Sequence, residues 1–265
     1  MDTNVRESGS RIQRLDLRDH RSEAKSPKRP RMVTTLQAAT HGLGVYSVAE
    51  AARYARMPAA TLSRWFFGTN LTEPMSRSAI GDDSTRRISF TDFVEALAIR
   101  SLRTDYGVPL PKIKEAIRNA HDHYKIEQPF ARQDHRTVLI GRDLHIFLKE
   151  DAENPVGLTG RDFGQKSMKP CIEEYMKDLV YDADGLAVLY RAFTFGDQEI
   201  VLNPKARFGA PSVAGSGYSA ETLWRAAVTE GSVEQAAELY EVPVAAVEAA
   251  YRYWNQEIGS GFGAI

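Results

Sequence analysis

Residues Tyr46 to Gly68 read YSVAEAARYARMPAATLSRWFFG, and this stretch decides the fold. Ser47 with Glu50 three residues on is an S-x-x-E capping box. It marks a helix start because each side chain satisfies a free backbone N–H near the other. Val48, Ala51, Ala52 and Ala55 recur at helical spacing and form a narrow apolar face, small enough for a second helix to cross closely. Arg56-Met57-Pro58 breaks the run. Pro58 is preset for the first turn of a new helix, where its missing N–H costs nothing. In that second helix Leu62 and Trp65 fall inward, while Thr61, Ser63 and Arg64 fall outward. Two short helices and a tight turn make a helix-turn-helix, whose second helix offers donors to a DNA major groove. The plain alternative is an αα-hairpin buried in a core.

Composition bounds the rest. The 265 residues have room for two domains, or for one domain with long appendages. An apolar fraction of 43% supports a proper core. The formal net charge is −1, so nucleic-acid binding must come from a local patch. Cys171 is the one cysteine, which excludes an internal disulfide framework and fits a reducing cytoplasm. No apolar run approaches the ~20 residues that span a bilayer, and the polar start of the chain has no signal-peptide core. The expectation is a soluble cytoplasmic protein.

Residues 1–40 have the composition of a disordered basic arm, in which Arg6, Arg11, Arg14 and Arg18 are followed by Arg21, Lys25, Lys28, Arg29 and Arg31. After the helix-turn-helix, Thr69 to Arg87 is polar and too long for a tight turn. It stands where a wing would lie, with Arg77, Arg86 and Arg87 to meet phosphates. Ser89 and Asp92 form a second capping box and open a helix to Arg103, with Phe93, Leu97, Ile99 and Leu102 toward one side. Gly107 suits a left-handed cap. A further helix to Tyr124 carries Ile113, Ala116, Ile117 and Ala120 at helical spacing.

Residues 46–118 resemble the winged-helix module of MerR-type regulators. The resemblance lies in YSVAEAARYARMPAATLSRW, the polar wing region, then RRISFTDFVEALAIRSLR and GVPLPKIKEAI. The family usually has Val-Ser at the turn where this chain has Met57-Pro58. The resemblance implies a DNA-binding domain over 41–130 that works as a dimer through recognition helix and wing. Carried onto this sequence, the DNA contacts are Ser47, Arg56, Thr61, Ser63, Arg64, Arg77, Arg86 and Arg87.

Residues 131–190 read as a β-hairpin and connector. Thr137–Ile140 and His145–Leu148 are the β-prone runs around Gly141-Arg142-Asp143. A polar loop is expected from Asp151 to Lys166, then a helix from Met168 to Val180. Leu186–Phe195 and Glu199–Leu202 are strand-like, with Gly196-Asp197 between them.

Residues 191–258 carry three more helices. Ser219 caps the first, with Leu223, Trp224 and Ala227 inward. Ser232 caps the second, whose apolar face is Ala236, Ala237 and Leu239. The third, after Val242-Pro243, is expected to bury Val244, Val247, Ala250 and Tyr251. The segment is similar to the antitoxin-like domain of unknown function 433, built on Asp-Pro, Gly-x-Pro and Gly-Thr-Arg motifs with a trihelical end. Asn203-Pro204 and Phe208-Gly209-Ala210-Pro211 stand at the first two motifs; Gly215-Ser216-Gly217 replaces the third, without its arginine. The order of modules resembles long VapB-like antitoxins. That implies an operator-binding homodimer paired with a PIN-like ribonuclease toxin.

Charge separates the two helix-turn-helix candidates. The tail's would-be recognition helix, PVAAVEAAYRYW, offers mostly Ala and Val, and Glu221, Glu230, Glu234, Glu238, Glu241, Glu248 and Glu257 surround it. Phosphates would repel it. DNA therefore falls to the head, and Trp224, Val244, Val247 and Tyr251 of the tail are assigned to a dimer or toxin contact. No catalytic constellation is legible. His121 and His123 flank Asp122 two apart, which does not place both on one helical face. Gly215-Ser216-Gly217 lacks the lysine and spacing of a P-loop. Glu173-Glu174 reads as a solvated helix face. The expected molecule is thus mainly α with small β elements: a winged helix-turn-helix head, an α/β connector, a trihelical tail over 191–258 and a flexible end over 259–265. It is expected to be a non-enzymatic antitoxin with no cofactor or metal. The alternative is a stand-alone MerR-like regulator sensing a small ligand through its middle.

Overall fold

The computed structural model describes residues 45–76, 86–133, 137–140, 143–148, 151–160, 164, 178–183 and 185–258. The basic arm, Arg77, Cys171, most of the helix expected over 168–180 and the end over 259–265 lie outside the described residues.

The head begins with strand β1 (Val45–Ser47) and helix α1 (Val48–Tyr54). The capping box is formed as its sequence requires: the Glu50 N–H donates to Ser47 Oγ at 3.2 Å and the Ser47 N–H to Glu50 Oε2 at 2.8 Å. Ala51 and Ala52 are buried. The Met57 N–H closes the turn on the Ala52 carbonyl at 2.9 Å, and Pro58 opens α2 (Ala59–Phe67). Leu62, Trp65 and Phe66 are buried beneath it. The N–H groups of Met75 and Ser76 both donate to the Trp65 carbonyl, which folds the following segment back on the helix.

Strand β2 (Arg87–Ser89) pairs antiparallel with β1 and leads into α3 (Phe90–Thr104), through the Ser89/Asp92 box. This helix is buried on more than the one side expected. Thr91, Asp92 and Glu95 are enclosed with Phe93, Ile99 and Leu102, while Leu97 is only half-buried. Asp92 is matched by Gln128 and Glu95 by the Phe130 N–H at 3.0 Å, so the chain beyond α4 (Leu110–Tyr124) wraps the polar flank of α3. The buried stripe of α4 is the one its spacing predicts: Ile113, Ala116, Ile117 and Ala120.

The middle carries more strand than the sequence shows. β3 (Thr137–Ile140) and β4 (Asp143–Leu148) form the expected hairpin. The polar loop predicted from Asp151 instead begins as β5 (Asp151–Gly157), a third strand paired with β4. Its Asp-Ala-Glu-Asn-Pro composition hides it, because an edge strand needs no apolar alternation. β6 (Leu179–Tyr181) replaces the end of the predicted helix. It pairs with β7 (Ala187–Phe195), followed by β8 (Gln198–Leu202) and β9 (Ser212–Val213), in the order β6-β7-β8-β9.

The tail forms α5 (Ala220–Glu230), α6 (Val233–Tyr240) and α7 (Val244–Arg252), with Tyr253–Ile258 continuing as one wide turn. The helices are where they were expected, but two faces are corrected. Leu239 is 63% exposed, and α7 buries Ala246, Val247, Ala249 and Ala250 while Val244 and Tyr251 stand outside. Closely crossing helices select the smallest side chains, so alanines line the contact and the larger apolar groups are pushed outward. Two buried clusters result. One joins the head to β4, β6, β7 and β8; the other lies between the tail helices and β8 and β9.

Glu95 is wholly buried on α3, beside the first cluster. Burial pushes its carboxyl up to about 8, against the Phe130 and Ala131 N–H groups that favour the charged form. Between about 4.5, its ordinary value, and about 8, the folded state holds a proton that the unfolded chain has released. Stability contributed here falls as pH rises through that window, by roughly 4–5 kcal/mol at most. Glu95→Gln is expected to flatten this dependence and to be the more stable form at pH 8.5; urea unfolding at pH 5 and pH 8.5 measures it.

Candidate nucleic-acid interface

α2 turns one face into the core and the other outward: Arg64 is exposed, with Thr61 and Ser63 half-buried at the edge. The pairing of β1 with β2 sets Ser47 opposite Arg87. It also brings Arg86 to α2, where its guanidinium donates to Ser63 Oγ at 3.3 Å and lies 5.9 Å from the centre of the Phe67 ring. Two pairs are thus brought together, Ser47 with Arg87 and Ser63 with Arg86, while Thr61 and Arg64 lie on the same helix as Ser63. Arg64, Arg86 and Arg87 are all exposed. This is an arrangement that can neutralise phosphates while Thr61 and Ser63 offer hydroxyl donors.

Arg56 does not belong to that group. Its backbone takes a positive φ of 53°, and its guanidinium turns inward to an ion pair with Glu257 and to the Ala192 carbonyl at 3.4 Å. A polar turn residue looks outward in sequence because partners so distant along the chain are invisible there. Lys112, one of the cations trailing the head, is likewise engaged: it pairs with Asp143 at 2.7 Å. The Lys112 hydrogen bond holds the Asp143 carboxyl below its usual range.

The tail differs in charge. Arg225 pairs with Glu221 at 2.6 Å and Arg252 with Glu248 at 2.7 Å. Arg252 also lies 4.3 Å over the Phe195 ring. Both cations are balanced within their own helices, and Glu230, Glu234, Glu238 and Glu241 remain exposed. Of the tail contacts read from sequence, Val247 is wholly buried in the helical cluster and is not part of the surface in this chain. Val244 and Tyr251 are 44% and 38% exposed. Trp224 is half-buried, stacked on Trp254 at 5.6 Å, with its indole N–H on Asn255 Oδ1. Tyr251 and Arg252 border an open cleft with Val233, Glu234, Glu248 and Asn255.

Among the described residues no group of three His, Cys, Asp or Glu side chains could hold a metal ion. His121 bonds its neighbour Asp122 at the surface. No described helix is long and apolar enough to cross a membrane.

No protein-family model matches the chain. It is similar to a curated protein of Mycobacterium tuberculosis (strain ATCC 25618 / H37Rv) named "Putative antitoxin VapB45", at 27% identity over 193 residues, covering 65% of this chain and 78% of the relative. That name describes an antitoxin and no catalytic activity. The X-ray crystal structure of Rv2018 from Mycobacterium tuberculosis shares the fold, with a TM-score of 0.54 at 20% identity over 77% of this chain and 96% of that one.

Arg56 and Arg64 therefore separate by experiment. Arg56→Ala is expected to cost about 1–2 kcal/mol in urea unfolding, since it strands a half-buried carboxylate, and to leave the salt dependence of duplex binding unchanged. Arg64→Ala is expected to leave stability within about 0.5 kcal/mol and to lower the slope of log K against log salt by about 1, read by fluorescence anisotropy.

Proposed function

We propose that this chain is a DNA-binding antitoxin of a type II toxin–antitoxin system, which neutralises a PIN-like ribonuclease toxin by direct binding and represses its own operon as a homodimer. The likeness to a protein named as an antitoxin carries the reading. The division of charge supports its two halves: exposed arginines on the head at Arg64, Arg86 and Arg87, and an acidic tail with apolar side chains at its surface.

In this reading the head is a winged helix-turn-helix. α2 enters the major groove, and the segment between α2 and β2, with Arg77, lays cations beside the backbone. Thr61, Ser63 and Arg64 make base or phosphate contacts; Ser47, Arg86 and Arg87 fix the register on phosphates. Two copies demand an inverted-repeat operator with half-sites about one helical turn apart, or a multiple of it. The tail takes the protein partner, through Trp224, Val244 and Tyr251. No step of catalysis is needed, because blocking the toxin's substrate path is a binding event.

Co-expression with the product of the neighbouring gene tests this. A stable complex that rescues growth from that product's toxicity is the expected result. Arg64→Ala should lose at least fivefold in affinity for the chain's own upstream DNA and still co-purify with the product. Val244→Asp with Tyr251→Asp should do the reverse. A chain that purifies alone and rescues nothing is instead a free-standing repressor for that pair, and equal loss of both activities in Arg64→Ala contradicts the division of labour.

A further inference from the structure

The tail sends one exposed turn back to the head. Lys205, Ala206, Arg207 and Phe208 are all exposed, and Phe208 is 85% so, far more than any other aromatic side chain of the core-forming segments around it. The turn is held from beneath. Asn203 Oδ1 accepts from the Lys205 N–H at 2.9 Å, the Ala206 N–H donates to the Asn203 carbonyl, and the Gly209 N–H donates to the Ala206 carbonyl. Arg207, Phe208 and Gly209 take positive φ values of 50°, 54° and 79° in succession. A bulky aromatic residue rarely adopts that backbone, and here it lifts the ring into solvent instead of letting it fold back on the sheet.

Two observations bear on what the ring meets. The turn packs against β1, where Tyr46 Oη donates to the Gly209 carbonyl at 2.9 Å. β1 is also the strand paired with β2, so the turn lies beside the two-stranded ribbon that carries Arg87, on the Tyr46 face and not the Ser47 face. The segment Asn203 to Pro211 carries Lys205 and Arg207 and no acidic residue, and among the described residues neither cation is paired with a carboxylate. Cations beside an exposed aromatic ring are the chemistry of nucleic-acid contact, with charge on the phosphates and the ring against a base or sugar face.

We propose that the Lys205–Phe208 turn is a second DNA contact, which extends the head's interface beyond α2 and β2. Lys205 and Arg207 meet backbone phosphates and Phe208 packs on an adjoining base step or deoxyribose. This rests on the reading of the head as a DNA-binding module. A protein partner for the same turn is the competing outcome.

The test uses the full chain with two probes: a duplex from the DNA upstream of its own coding sequence, and an unrelated duplex of equal length. Lys205→Ala with Arg207→Ala should lower the salt slope of binding by about 2. Phe208→Ala should weaken binding roughly tenfold with the slope unchanged. Phe208→Trp, which keeps a ring in place, should show fluorescence quenching when duplex is added. Thermal melts separate loss of contact from loss of fold. If Arg64→Ala weakens binding while the turn variants bind as the parent does and the tryptophan is silent, the turn proposal fails and the head reading stands. If the parent chain binds neither duplex, both fail. If the turn variants keep DNA but lose the neighbouring gene product, the turn is a protein contact and the proposal is overturned.

Discussion

Tyr46 is the contact on which the placement of the head depends. Its side chain is buried, its ring packs against Tyr54 at 5.9 Å and Phe93 at 5.5 Å, and its hydroxyl reaches the Gly209 carbonyl. Phe93 in turn meets Tyr190 of β7 at 6.0 Å. One residue of a three-residue strand thus ties the end of α1, the first turn of α3, the central sheet and the tail's turn. Burial raises the phenol well above its ordinary value, so it remains a donor across the working pH range. The fit tolerates no side chain at Gly209, because a Cβ there would run into the Tyr46 hydroxyl and the residue already holds a φ of 79°.

Around that joint the charged groups divide into two sets. Those that face another element are spent on architecture. Arg56 with Glu257 clips the turn between α1 and α2 to the end of the tail, and Lys112 with Asp143 clips α4 to β4. Those left at the surface include Arg64, Arg86 and Arg87 on the head, with Glu50 and Glu73 exposed there too, and Glu230, Glu234, Glu238 and Glu241 on the tail helices. A net charge near zero therefore conceals an uneven distribution, with exposed arginines on the head and mostly carboxylates on the tail helices. This permits one chain to meet a polyanion at one place and a protein at another.

Local signals in the sequence were faithful wherever short-range physics decides the outcome. The two capping boxes at Ser47 and Ser89, the Pro58 start, the α4 stripe and the β7–β8 hairpin all follow from spacing of a few residues. What stayed hidden depends on partners far along the chain. Arg56 turns inward to Glu257, and β5 pairs with β4 through main-chain groups that leave no pattern in its side chains. α7 buries Val247 and Ala250 as expected, but alanines take the remaining places where its neighbours approach closely, which leaves Val244 and Tyr251 outside. Glu95 had a readable signal that was missed: it lies at helical spacing from Thr91, Ala98 and Leu102, on a stripe that the structure buries. Of the candidate site, the outward residues of α2 were legible. The approach of Arg86 to Ser63 was not, since it depends on the pairing of β1 with β2.

The central claim is that DNA is met by the head and not by the tail helices. Hydrogen-exchange mass spectrometry of the full chain, with and without a duplex from its own upstream region, tests it most directly. The account predicts added protection over 59–67 and 86–89, extending to 205–209, with 220–252 unchanged. Protection centred on 220–252, with the head unchanged, would contradict it.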